Sequence, residues 1–201
     1  GFAASGANRV VNLGGAGAPI LWGDAGANFG ELTFGSTTAT HTVTFENPLN
    51  IGAANRTIRT FEGPASIETR FTQPISSDSA ATLTKMGPGA LALAAKNTYT
   101  GNTIVNNGAL VLEHAEALPA TTNVTLRAGG LLGLAIGDYN GTLGTGPGQV
   151  QFTTGNGGFA AFGGNFTVTL NVGAGVAWGA GNFAANNFVL SVDNASGTIT
   201  F

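Results

Sequence analysis

The chain has 201 residues, of which 43% are hydrophobic and 8% charged, with a formal net charge of −3. The apolar fraction is enough for a packed core, whereas the charged fraction falls far below the ~25% of an ordinary globular protein. Seven basic residues against ten acidic ones leave no basic patch for nucleic acid, the lack of cysteine removes disulfides and thiolate metal sites, and no apolar run approaches the roughly 18 residues of a membrane span, so no membrane insertion by this segment is expected.

Taken in chain order, short runs alternate apolar and polar residues. His41-Thr42-Val43-Thr44-Phe45 places Val43 and Phe45 on one face and two threonines on the other. Leu91-Ala92-Leu93, residues 123–127, Val150-Gln151-Phe152, residues 166–170 and residues 198–201 continue the pattern. A period of two means half-buried β-strand, and threonine suits its wet side. Turn clusters lie between these runs: Gly14-Gly15-Ala16-Gly17, Gly87-Pro88-Gly89, Asn106-Asn107-Gly108, residues 144–148 and Gly155-Asn156-Gly157-Gly158. Residues 112–118, before Pro119, could make one helical turn and read as a short excursion from a strand. Elsewhere the density of Gly and Pro opposes helix nucleation.

The chain also ends as it begins. Gly1-Phe2-Ala3-Ala4 recurs as Gly158-Phe159-Ala160-Ala161, an offset of 157. After the loss of one residue, Trp22-Gly23 recurs as Trp178-Gly179 and Val43-Thr44-Phe45 as Ile199-Thr200-Phe201, an offset of 156. Residues 1–45 and 158–201 are two copies of one element. A closed barrel or sandwich cannot grow by such a period without starting a new domain, whereas a solenoid grows by adding coils. The expected fold is all-β: a right-handed parallel β-helix (β-solenoid) of short strands and Gly/Asn-rich turns, continuous over residues 1–201. Asn, Thr and Phe would stack on like residues, and scarce charge avoids like-charged columns at a spacing of ~4.8 Å. A string of separate sandwiches would need a linker near the period boundary, and no Pro/Ser-rich or charged stretch lies there. At roughly 20–25 residues per coil, the period would advance roughly 30–38 Å.

Residues 83–112 read LTKMGPGALALAAKNTYTGNTIVNNGALVL. Leu83, Leu91, Leu93, Val105, Leu110 and Leu112 can form an aliphatic core that stacks coil on coil. Gly87-Pro88-Gly89 and Asn106-Asn107-Gly108 turn corners, and Tyr99 can bury its ring while its hydroxyl stays wet. This spacing of Leu83, Gly87, Gly89, Leu91, Leu93, Asn97, Tyr99, Gly101, Gly108, Leu110 and Leu112 resembles the autotransporter-associated β-strand repeat, also called the passenger-associated transport repeat. Met86, Pro88, Ala90 and Ala92 depart from its usual residues. The resemblance implies a parallel β-helix in the exported passenger of a bacterial protein, extracellular or at the cell surface. No translocator barrel is present in this sequence.

Catalytic groups are sparse. His41 and His114 stand in unrelated contexts, His114 beside Glu113 and Glu116 in what reads as a solvated bend. No G-x-S-x-G elbow, phosphate loop or nonapeptide calcium repeat occurs. A polysaccharide-cleaving β-helix would need clustered carboxylates, and Asp24, Asp78, Asp138 and Asp193 are far apart. The one charged cluster sets Glu62 and Glu68 near Arg56, Arg59 and Arg70. It reads as weak ion pairing between adjacent coils, with the three arginines as candidate contacts for an anion or carbohydrate. Sequons at Asn55, Asn123, Asn140, Asn165 and Asn194 are expected by accident in a chain this rich in Asn and Thr. No metal or cofactor is expected.

The leading expectation is a structural, non-enzymatic repeat segment of a surface stalk, fibre or filament. The alternative is an adhesin-type module that recognises glycans or a surface partner on a solenoid face, with Trp22, Trp178, Tyr99 and Tyr139 able to stack on sugars. The equivalence of Trp22 and Trp178 suits inter-coil packing equally well. Neither end shows a polar cap. The expected partner is therefore the protein itself, by head-to-tail continuation of the solenoid or lateral association.

Overall fold

Short parallel strands wind into a three-sided helix in the computed structural model, which describes residues 1–171 and 175–201. On the first face Leu32–Phe34, Arg56–Thr60, Leu83–Met86, the first halves of Thr103–Leu112 and Val124–Leu134, and Gln149–Phe152 stack in that order. On the second face Arg9–Val11, Val43–Phe45, Thr69–Phe71 and Leu91–Leu93 are followed by the second halves of the same two long strands and then Gly157–Ala161. The third face carries Ile20–Leu21, Leu49–Asn50 and Ile75–Ser76 at one end. Tyr139–Leu143, Phe166–Leu170 and Ile199–Thr200 lie at the other. The chain visits the faces in rotation, so each ladder joins one coil to the next. The fold is the expected all-β parallel helix, with no α-helix among the described residues.

Alternation explains which side faces in. Leu32–Phe34, Val43–Phe45 and Thr69–Phe71 each bury their first and third residues and leave the middle one half-buried. Inside, Phe45 and Phe71 stack with ring centroids 4.8 Å apart, and Phe34 meets both edge-on. Phe152, Phe159, Phe183 and Phe188 form a second aromatic cluster. Phenylalanines thus stack as expected, but the buried asparagines do not. Asn47 Nδ2 donates to Leu13 O at 2.8 Å and Ala18 O at 2.7 Å. Asn97 Oδ1 accepts Ile75 N, and its Nδ2 donates to Ala117 O, both at 2.7 Å. Asn123 Nδ2 donates to Gly144 O and Gln149 O, both at 2.9 Å. Irregular corners leave backbone groups without a ladder partner, and a buried amide supplies one.

Coil length varies. Val11 precedes its partner Phe45 by 34 residues, Leu93 precedes Leu112 by 19 and Leu134 precedes Ala161 by 27. The ladders still give the long period a defined geometry. On the first face, Phe2 bridges Phe34 in Leu32–Phe34, and five further ladders carry that strand to Gln149–Phe152, six coils in all. Phe159, the copy of Phe2, lies one face further on, in Gly157–Ala161. On the second face six coils carry Val11 to Ala161, and its copy Val168 again lies one face further, in Phe166–Leu170. One period is six coils plus one face.

The two copies are bonded alike despite sitting on different faces. Trp22 Nε1 donates to Phe29 O, and Trp178 Nε1 to Ala185 O. Asn8 Oδ1 accepts Thr42 N, and Asn165 Oδ1 accepts Thr198 N. Gly6 N donates to Thr40 Oγ1, and Gly163 N to Ser196 Oγ.

The second face is apolar outside as well as inside. Ala92, Val111, Leu131, Ala160 and Phe162 form an outer cluster, packed by Ile67 from one corner loop, by Val189 of the short strand Phe188–Val189, and by Val192 and Ala195 from the loop after it. Parallel sheets are ordinarily covered on both sides in this way. The two loops meet where Asn194 Nδ2 donates to Ser66 O at 3.1 Å.

Truncating the aromatic column with Phe71→Ala is expected to cost about 3–5 kcal/mol. Val10→Ala, at a side chain 62% exposed, should stay within about 0.5 kcal/mol of the parent. Urea midpoints check both, and equal losses would contradict a core at Phe71.

Candidate functional site

The three arginines that the sequence groups together separate in the fold. Arg56 places its guanidinium over the Trp22 ring, 5.3 Å from the centroid. Its Nη2 donates to Trp22 O at 2.5 Å and its Nε to Ile51 O at 3.1 Å. Arg59 forks onto Glu31, Nε to Oε1 at 2.6 Å and Nη2 to Oε2 at 3.0 Å, and this bond raises its pKa. Arg70 grips Glu113 in the same way at 2.6 and 2.7 Å, with the same effect on its pKa.

Arg59–Glu31 joins adjacent coils, while Arg70–Glu113 reaches past the intervening Ala92 rung to the coil of Val111. The expected acidic partners, Glu62 and Glu68, form neither pair. Glu68 is fully buried, its Oε1 accepting Gly63 N at 3.0 Å and its Oε2 accepting Ala90 N at 2.7 Å. Burial raises its pKa. Residues close in sequence part here because the chain changes face after Thr60.

Within residues 83–112, Leu83, Leu91, Leu93 and Leu110 point inward and are buried, with Leu112 packed at their edge. Tyr99 corrects an expectation, since its hydroxyl is buried with the ring. It shares a hydrogen bond with Thr103 Oγ1 at 2.7 Å, which continues to Thr122 Oγ1 at 3.0 Å. Burial pushes the phenol up to about 12.

Lys85 has a role that sequence reasoning missed. It occupies the inward column between Ile58 and Val105 and is 1% exposed. Its ammonium donates to Gly87 O, Gly89 O and Asn107 O, the last at 3.0 Å. Gly108 sits against this group with φ +67°, and a Cβ there would lie 2.5 Å from Lys85 Nζ and from both glycine carbonyls. Lys85, Gly87, Gly89 and Gly108 are therefore one unit, a carbonyl cradle closed by a cation at the corner between two faces. The available signal was period two, which sets Lys85 on the same side as Leu83. Burial lowers the Lys85 pKa to about 7, and Glu68 opposes that shift.

A groove of about 500 Å³ opens on the outside of the second face. Arg70, Glu113 and Phe162 contribute to it together with Ser66, Ile136 and Ser196. His114 is apart from this groove, and its Nδ1 accepts Glu116 N at 3.0 Å within a local bend. His41 shares a 2.7 Å bond with Thr40 Oγ1.

Residues 83–112, the coils that build the Lys85 cradle, match the family described as the passenger-associated transport repeat. These residues are similar to one passenger-associated transport repeat, and the match covers that part of the chain alone. Over 115 residues it is 36% identical to the adhesin BmaC autotransporter of Brucella suis biovar 1 (strain 1330). That alignment covers 52% of this chain and 3% of the relative, so the chain spans a small part of the relative's length. No solved structure matches the chain. The passenger repeat places this segment in an exported, cell-surface protein.

Lys85 of the passenger repeat gives a signed pH dependence. Folded Lys85 releases its proton near pH 7, whereas the unfolded side chain holds it to about 10.5. Between those values the unfolded chain binds more protons, so stability rises with pH. Above about pH 10 Tyr99 and Tyr139, both pushed up to about 12 by burial, act in the opposite sense. Urea midpoints should therefore climb from pH 7 towards about pH 10, and Lys85→Met should flatten the climb. A parent chain with a flat profile would contradict the lowered pKa of Lys85. Gly108→Ala should lose at least about 1–3 kcal/mol from backbone strain alone, and a neutral result would contradict the cradle.

Proposed function

We propose that this segment is a non-enzymatic spacer, one period of a solenoid that gives an exported surface protein its length as a stalk or fibre. The carrying observation is the coil-to-coil register, which brings the second copy of the element into the same bonding pattern six coils and one face after the first. A solenoid coil contacts only its neighbours, so its length grows linearly with the number of coils.

The same register makes a shape prediction. Six and a third coils at ~4.8 Å advance about 30 Å per period and turn it by about a third of a revolution. Tandem copies of residues 1–157, imaged by electron cryomicroscopy, should show that rise and return to the same orientation every third copy. A straight repeat with no rotation, or beads separated by linkers, would overturn the reading.

The groove over Arg70 and Glu113 favours a second reading, an adhesin-type module, and the matched relative is itself called an adhesin. Its floor carries an internally neutral ion pair beside Ile136, which is 54% exposed. Such a surface suits a neutral sugar, with hydroxyls on the pair and ring C–H groups on the apolar side. On a glycan array the chain should then retain neutral saccharides and Arg70→Leu should not. Retention unchanged in Arg70→Leu would remove the groove from this reading.

A further inference from the structure

The coils change length in the middle of the stack. Leu112 and Leu134 are paired rungs of the second face. From there the chain returns to the first face by residues 113–123 in one coil and by the longer stretch 135–148 in the next. A notch of about 390 Å³ lies between these coils, lined by Leu112, His114 and Leu118 of the first and by Ile136, Asp138 and Tyr139 of the second. Leu118 and Tyr139 also border a smaller hollow of about 170 Å³ beyond it. On its other side the notch meets the groove over Arg70 and Glu113, because Ile136 lines both. Three polar groups of the notch keep bonding capacity to spare. His114 Nδ1 accepts Glu116 N, which makes Nε2–H the donor of the neutral ring. Asp138 Oδ1 accepts Thr167 N at 2.7 Å, and its Oδ2 has no partner among the described residues. The Tyr139 ring is set against Phe159 with centroids 5.2 Å apart, while its hydroxyl has no hydrogen-bond partner among the described residues.

We propose that groove and notch form one site for a neutral oligosaccharide, which lies across Ile136 with one ring on the Arg70–Glu113 pair and the next among His114, Asp138 and Tyr139. This rests on the adhesin-type reading above and adds to it the length of the ligand and a second set of contacts. Each concavity is of a size that holds a small ligand by itself. Two of them flanking one exposed isoleucine therefore address linked rings rather than a single ring. A sugar ring carries hydroxyls on its edge and C–H groups on its faces. The notch matches both, with an imidazole donor, a carboxylate acceptor and a phenol that can do either, set on walls of Leu112, Leu118 and Ile136. Glu113 and His114 are neighbours in sequence, yet they serve opposite sides of Ile136. Charge selects against acidic sugars. Besides His114, Arg70 is the one basic side chain that lines groove or notch, and Glu113 already holds it with two bonds. Asp138 would repel a second carboxylate. The site lies on the outside of paired strands, so a ligand fills it without opening a ladder.

The test is a chain-length series of immobilised neutral saccharides, glucose in α-1,4, β-1,3 and β-1,4 linkage and N-acetylglucosamine in β-1,4 linkage, each at one to four rings. For the series that the chain retains, affinity should rise by about tenfold or more between one ring and three, as a second set of hydrogen bonds is made. His114→Asn, Asp138→Asn and Tyr139→Phe should each lower the affinity for three rings towards that for one ring and leave the one-ring affinity unchanged. The first two keep an acceptor for Glu116 N and Thr167 N, and the third keeps the ring on Phe159, so urea midpoints should stay near the parent's. Ile136→Ser, on the exposed ridge, should act in the same direction without touching a polar group. Arg70→Leu should weaken one ring and three alike. If affinity does not grow with length, or grows but is untouched by the four notch substitutions, the notch inference fails and the adhesin-type reading stands. If no series is retained, or if Arg70→Leu leaves every affinity unchanged, the adhesin-type reading of this groove fails and the inference falls with it.

Discussion

Everything in this molecule answers to the hydrogen-bonded register between one coil and the next. A parallel ladder places each side chain directly over its partner at a spacing of ~4.8 Å. An inward column must therefore be uniformly apolar or find special compensation, and an outward column must avoid like charges. Phe45 on Phe71 and Leu93 beneath Leu112 meet the first demand. The low charge of the chain, with the outward Arg59 and Arg70 held by glutamates from other coils, meets the second. Corners are where the register is hardest to keep. There the chain uses backbone conformations open to glycine, as at Gly87 and Gly108, or buried amides such as Asn97 and Asn123.

Lys85 is the special compensation. An ammonium in an aliphatic column would be prohibitive without partners, yet three carbonyls from two successive corners converge on it. The passenger repeat thus contains more than a hydrophobic stack. Its lysine and its glycines are matched to each other across a coil boundary, so each constrains the other. This ties one corner to the next where the strands pass from the first face to the second.

Much of this was legible in the chain. Alternation at Val43 and Phe45 and at Leu91 and Leu93 gave the inward side of those strands, and the glycine clusters marked corners that the structure turns. The recurrence of Trp22 as Trp178 gave the period. Which residues meet across faces was not legible, because that depends on coil lengths that range from 19 to 34 residues. The same unknown hid the partners of Arg59 and Arg70, the burial of the Tyr99 hydroxyl against Thr103 and the rotation of the second copy by one face. Trp178 shows how one residue type can read two ways. Trp22 is core because a coil with Arg56 lies over it, whereas Trp178 is 58% exposed.

Cross-linking measures the register most directly, and the chain has no cysteine of its own to interfere. Thr84 and Ile104 are paired outward residues on adjacent coils, within the Cα separation of about 4.4–6.8 Å that a disulfide spans. Asn106, two residues further along the same strand, is paired with Met86 instead. The double variant Thr84→Cys/Ile104→Cys should oxidise readily to an intramolecular disulfide, and Thr84→Cys/Asn106→Cys should remain reduced under the same conditions. Failure of the first pair with closure of the second would place the strands in another register, and with it would fall the coil count and the face-by-face rotation of the repeat.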